Sequence, residues 1–397
     1  MSISLINRIK YSPILYKIYS FLGGIGIAGL KFFIKSDSKL IVFVSFGGRN
    51  FGDSPKAIYE EMISDPRFSS FEFVWAFIDP ARHETGNRGR KIKIDTLEYF
   101  WTLLKARCWV TNSSVGRGLS FSGKKTFYFN TWHGTPIKKM GSDIAGDNLS
   151  FKIKEKRVSP IDLMLAQGNY EADIFSRVFN IPRDRFAVIG LPRNDELIRD
   201  DKKSRVEELR KKLEIPSGKK VILYAPTFRE YSQDSHSGCI ARPPVDFKKW
   251  EEEIGTDYVL LFRAHYEVVR VLDVEFGDFA RDVSDYPSLN ELMLVSDMLV
   301  SDYSSVFFDY SVLGRPMLCF AYDYDVYQEK RGVYFDIREE LLCKDLGNEE
   351  ALLLEIKRLN YKERSQVARK FKERYVDAAG TAAKASADII FQRVSES

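Results

Sequence analysis

Residues 40–48 read LIVFVSFGG. The apolar run Leu40 to Val44 mixes aliphatic, β-branched and aromatic side chains without polar alternation and ends in a pair of glycines, the pattern of a strand buried on both faces that feeds a tight turn. Outward from it the pattern repeats. Strands are expected at 71–77 (FEFVWAF), 108–111 (CWVT), 126–130 (TFYFN), 161–166 (IDLMLA) and 186–190 (FAVIG), with helices such as 55–64 and 96–106 between them. Alternation of this kind builds a doubly wound α/β domain. The charged stretch 199–220 reads as a solvated helix that joins two halves, because VILYAP at 221–226 starts the pattern again, followed by strands near 258–263, 280–283, 297–301 and 316–320. Helices are expected at 349–359, 361–374 and 379–395.

The chain of 397 residues is longer than one core usually organises, which agrees with two such domains. The expected division is 1–35 as an N-terminal segment, 36–205 and 206–375 as two Rossmann-like domains facing across a cleft, and 376–397 as a helix packing back on the first. In this architecture ligands bind outside the carboxyl ends of the strands, so strand ends are where chemistry belongs.

Composition narrows the function. Lys and Arg number 60 against 56 Asp and Glu, a net charge of +4, so no global polycation is present to hold nucleic acid. Cys108, Cys239, Cys319 and Cys343 are far apart and form no metal or disulfide pattern. Ile18 to Leu30 is uncharged for about 13 residues, short of the roughly 20 that span a bilayer. Together with Ile3, Leu5, Ile6, Ile9, Ile14 and Leu15, interleaved with Arg8, Lys10 and Lys17, it suits an amphipathic segment on an anionic membrane surface; a helix packed on the protein suits the same residues. Gly24, Gly26 and Gly29 match a dinucleotide glycine pattern, but no strand precedes them. Asp323 and Asp325 form a DxD pair that is weak evidence for a metal on its own.

Four strand ends carry the candidate chemistry. FNTWHGTPIKKMG at 129–141 displays His133 in a polar, glycine-containing turn, where a neutral imidazole can act as a general base; a core histidine bonded to backbone fits equally. RAHY at 263–266 follows an apolar strand and sends Arg263 and His265 the same way, a pair suited to phosphate oxygens or to an ion-paired strand edge. After Val300, the cluster Ser301, Asp302, Ser304 and Ser305 leads into a helix carrying Asp309, a seat for a diphosphate beyond what plain capping needs. YAPTFRE at 224–230 brings Thr227 and Arg229 from another strand end.

In this order, NTWHGTP (130–136), YAPTFR (224–229), RAHY (263–266), SDYSSVFFDYSVLGRP (301–316) and YDYDVYQEKRGVYFD (322–336) resemble the CDP-glycerol glycerophosphotransferase family of teichoic-acid synthesis, over residues 125–340. The resemblance implies a GT-B arrangement attached peripherally to the cytoplasmic face of the cell membrane. It implies a CDP-glycerol or CDP-ribitol donor, a lipid-linked saccharide or polyol-phosphate acceptor, and no cofactor or metal. It makes His133 the general base and His265 a second essential histidine near the donor phosphates. Ser304 and Ser305 become diphosphate contacts, Asp302 and Asp309 acidic positions of the same block, and Thr227, Arg229 and Arg263 further substrate contacts. The chain lacks the large N-terminal region of longer polymerising members, which shifts weight toward a single-addition priming role. An acceptor hydroxyl deprotonated at His133 would then attack the polyol-bearing phosphorus in line and expel CMP. The rival readings are a GT-B nucleotide-sugar glycosyltransferase and a non-catalytic membrane scaffold.

Overall fold

The structure, a computed structural model, describes residues 12–119, 126–144, 160–199, 201–227, 229, 233–234, 238–239, 243–264 and 276–395. Two parallel sheets organise it. The first holds β1 (Asp37–Val44), β2 (Glu72–Phe77), β3 (Gly89–Lys93), β4 (Ala106–Thr111), β5 (Phe127–Asn130), β6 (Leu163–Ala166) and β7 (Phe186–Val188), in the order β3-β2-β1-β4-β5-β6-β7. After a short hairpin of β9 (Gln233–Asp234) and β10 (Gly238–Cys239), the second sheet is completed: β8 (Lys220–Ala225), β11 (Tyr258–Phe262), β12 (Ala280–Asp282), β13 (Met298–Ser301) and β14 (Met317–Cys319), in the order β12-β11-β8-β13-β14. The order reverses between β1 and β4 in one sheet and between β8 and β13 in the other, and those reversals are where the crevices open.

Each sheet is buried because its central strands are apolar on both faces. Ile41, Val42 and Phe43 are fully buried, as are Ile222, Leu223, Leu299 and Val300. A ring cluster of Phe43, Tyr59, Phe73 and Trp75 fills one side of the first sheet, with Phe43 and Trp75 stacked at 5.2 Å. The glycine pair after β1 is required by space: Gly48 lies at φ 84°, and a Cβ there would stand 2.1 Å from Ile94 Cδ1 and 3.1 Å from the Ala76 carbonyl oxygen.

Two segments cross the joint. Pro192–Leu197, a 3-10 turn, packs between helix Asp53–Ser64 of the first lobe and helix Leu289–Val295 of the second. Its Asp195 carboxylate accepts the N–H groups of Gly380, Ala382 and Ala383 and so anchors the returning chain. The helix Ala382–Ser395 then lays Ala387, Ile390 and Val394 into the cluster that holds Ile41 and Phe43.

Residues 1–11 lie outside the described residues. From Pro13 to Phe33 the chain forms one helix capped by Ser12. Ile27 packs with Leu40, Val42 and Trp109, while Ile14, Ile18, Phe21, Leu22 and Ile25 on the remaining surface are exposed. No described helix is long and apolar enough to cross a membrane.

Candidate functional site

The carboxyl ends of the central strands face a cleft of about 1180 Å³ whose walls include His133, Arg193, Arg263, Ser304, Ser305 and Asp309. His133 is placed by three turns tied to each other. Asn112, just past β4, accepts the Phe46 N–H through its side chain at 2.7 Å, which fixes the turn after β1. Its own backbone carbonyl receives His133 Nδ1 at 2.6 Å. Asn130 at the end of β5 accepts the Trp132 N–H at 2.8 Å, Trp132 takes φ 48°, and its ring stacks on the imidazole at 4.5 Å. The Phe46 ring also packs on the imidazole, tilted by 54° at 5.7 Å.

A carbonyl oxygen only accepts, so Nδ1 carries the proton and the neutral ring keeps its lone pair on Nε2. Burial is the largest influence on this imidazole and lowers its pKa; the bond to Asn112 and the Asp53 carboxylate oppose this, while Arg193 and Lys138 add to it. The net effect lowers the pKa and favours the neutral ring near pH 7, the form a general base needs.

Across the cleft stands the serine turn after β13. Ser304 Oγ accepts the Val306 N–H at 3.3 Å. Ser305 comes so near the histidine turn that a Cβ on Gly134 would lie 2.5 Å from its Oγ. The two predicted turns therefore meet, and glycine at 134 is what lets them do so. Arg263 lines the same cleft, with its guanidinium bonded to the carbonyls of Val283 (3.2 Å) and Tyr286 (2.6 Å); burial lowers its pKa. His265 lies outside the described residues.

Buried Arg229 and Asp302 form a separate cluster with half-buried Thr227, and the three do not belong to the described lining. Arg229 is 1% exposed. It donates to Asp302 at 2.8 Å, to Asp323 at 2.7 Å and to Thr227 Oγ1 at 2.8 Å, and its guanidinium carbon lies 5.0, 5.1 and 5.4 Å from the rings of Tyr303, Tyr322 and Tyr327. Asp302 also accepts the N–H groups of Thr227 and Tyr303. A charge so enclosed braces the ends of β8 and β13, and Asp323 of the DxD pair is consumed in it. Sequence reading carried Thr227 and Arg229 into the cleft; alternation along a strand end does not reveal that two carboxylates and three tyrosines close over them.

Asp309 faces the first lobe. Arg193 donates to both its oxygens at 3.1 Å and Asn194 to one at 2.7 Å. Neither Arg193 nor Asn194 stood out in the sequence; the only signal is a polar LPRND run directly after a strand. Glu171 was also missed. It is fully buried beneath the histidine turn, accepts the Gln167 N–H at 2.7 Å, and burial pushes its pKa up to about 7.

The arrangement sets a proton acceptor beside a hydroxyl-bearing turn on the wall of a cleft of about 1180 Å³. The family described as CDP-Glycerol:Poly(glycerophosphate) glycerophosphotransferase matches residues 28–394. A teichoic acid poly(glycerol phosphate) polymerase of Staphylococcus epidermidis is 38% identical over 313 residues, 76% of this chain and 43% of that protein. A teichoic acid glycerol-phosphate transferase of Staphylococcus aureus is 35% identical over 339 residues, 82% of this chain and 85% of that protein. The solved structure of a histidine-to-asparagine variant of the wall teichoic acid polymerase TagF with CDPG superposes with TM-score 0.81 at 33% identity, covering 91% of this chain and 90% of that one. The chain thus spans less than half of the first relative and most of the second.

Proposed function

The chain belongs to the CDP-glycerol:poly(glycerophosphate) glycerophosphotransferase family, and from that premise we propose that it transfers glycerol phosphate from CDP-glycerol to a hydroxyl of a lipid-linked teichoic-acid precursor or polymer, releasing CMP. The observation that carries this reading is the tethered His133: with Nδ1 bonded to the Asn112 carbonyl, Nε2 is the basic atom, and Ser305 is in close approach to the adjoining Gly134. The acceptor hydroxyl loses its proton to Nε2 as its oxygen attacks the glycerol-bearing phosphorus; the bond from that phosphorus to the bridging oxygen breaks, and CMP departs with the bonding pair. Ser304, Ser305, Arg263 and His265 are the proposed contacts of the donor diphosphate, with Thr227, Arg229 and Asp302 bracing the strand ends beneath them.

The reading extends to organisation. Residues 36–205 are the proposed acceptor-side domain and 206–375 the donor domain, with 376–397 returning to the first. The exposed apolar face of helix Pro13–Phe33 supports a peripheral seat for residues 1–35 on an anionic membrane, at the cytoplasmic face where a nucleotide donor is available.

Donor competition tests the proposal. Purified protein is given a lipid-linked acceptor and CDP-glycerol, CDP-ribitol or a UDP-sugar, and nucleotide release is followed. CMP release with CDP-glycerol is expected. Preference for CDP-ribitol would reassign the polyol, and turnover with a UDP-sugar alone would replace the reaction with glycosyl transfer.

A further inference from the structure

Resting on the transfer reading above, we propose that Arg193 is a positioning residue: shared between Asp53 of the first lobe and Asp309 of the second, its guanidinium fixes the spacing of His133 and the Ser304–Ser305 turn across the cleft. The three side chains are almost sealed, with 7% of Arg193, 10% of Asp53 and 7% of Asp309 exposed. Arg193 reaches Asp53 at 3.5 Å and both Asp309 oxygens at 3.1 Å. Its backbone is held as well, since its N–H donates to Ser54 Oγ at 3.3 Å and its carbonyl accepts from Asn290 of the second lobe. The cation therefore sits at a point where helix Asp53–Ser64, the crossing turn Pro192–Leu197 and helix Val306–Ser311 converge.

Both ends of this clamp lead directly to the site. Asp309 is one helical turn past Ser305, so its position sets that of the serine turn. On the other side the would-be Cβ of Gly134, 2.5 Å from Ser305 Oγ, leaves no slack between that turn and the residue next to His133. A planar fork fixes the direction of both carboxylates at once, where the three rotatable donors of an ammonium leave their relative orientation free, which makes arginine specific to the task. The charge matters too. The groups acting on His133 are Asp53, Arg193 and Lys138, and Arg193 is the cation among them that also neutralises a carboxylate from the opposite lobe.

The test uses the full chain in four forms: wild type, Arg193→Lys, Asp309→Asn, and the charge-balanced pair Arg193→Met with Asp309→Asn. With Cys239→Ser as background, nitroxides are attached at cysteines replacing exposed Glu84 and Lys344, one on each lobe, and the distance between them is measured by pulsed electron resonance. Arg193→Lys is expected to fold, to broaden the distance distribution, and to lower kcat about tenfold or more while KM for CDP-glycerol stays within about threefold. Asp309→Asn, which keeps the Asn194 hydrogen bond, should move both readouts the same way by less. A single wild-type distance in Arg193→Lys and the double variant would overturn the proposal. So would unchanged kcat, or a loss expressed only in KM, which would make Arg193 a donor contact. If the wild type releases no CMP from CDP-glycerol, the transfer reading fails, and the distance distributions still decide the clamp.

Discussion

At the residue scale the site works through groups whose surroundings set their protonation. His133 titrates below an ordinary histidine, chiefly because it is buried. A base must be neutral, so the acid limb of kcat/KM should lie below the ordinary value of about 6.5, and a pH profile reads it directly. An acid limb above that value would mean that another group is titrating. Glu171 shifts the opposite way, to about 7, against its ordinary 4.5. Between those two values the folded protein holds a proton the unfolded chain has lost, so stability falls as pH rises through the window. The full loss above it is on the order of 3 kcal/mol. Denaturant titrations at pH 5 and 8 should show that decline in the wild type and a flatter profile in Glu171→Gln. His133 could be picked from the sequence because a polar glycine turn after an apolar strand is a local pattern. Arg193 and Glu171 could not, since their importance comes from partners 116 residues away in one case and from burial in the other.

The elements were readable where hydrophobic runs were long and hidden where they were not. Strands such as β1, β8 and β13 carry unbroken apolar runs, Leu40–Val44, Val221–Ala225 and Met298–Val300, and are evident in the sequence. β3 escaped because Gly89–Lys93 is GRKIK, an edge strand in which only Ile92 is buried, and charge on an edge is how sheets avoid sticking to each other. The short helices Tyr324–Lys330 and Ile337–Glu340 gave too few turns for a period to emerge. The glycine turn after β1 supplies a sharp test of the fold: Gly48→Ala should cost about 2 kcal/mol, since it adds a side chain at positive φ against Ile94 and the Ala76 carbonyl. Helix Pro13–Phe33 carries the membrane proposal. Replacing Phe21, Leu22 and Ile25 together by serine should weaken flotation with anionic liposomes about a hundredfold while leaving thermal unfolding nearly unchanged, because none of the three is buried.

For the whole molecule, two parallel sheets with the same 3-2-1-4-5 opening order are set so that the histidine turn of one meets the serine turn of the other. The alternation of strands and helices made the two-sheet architecture legible. What it could not give was the joint, where the adjacent Arg193 and Asn194 meet Asn290 and Asp309, roughly a hundred residues further along the chain. The most direct measurement of the central claim is a rapid-quench single turnover of radiolabelled CDP-glycerol with a lipid-linked acceptor, comparing wild type with His133→Ala. Stoichiometric CMP and labelled lipid are expected from the wild type, and a rate reduced about a hundred- to ten-thousand-fold in the variant, with donor affinity retained. Equal transfer rates in the two proteins would contradict it.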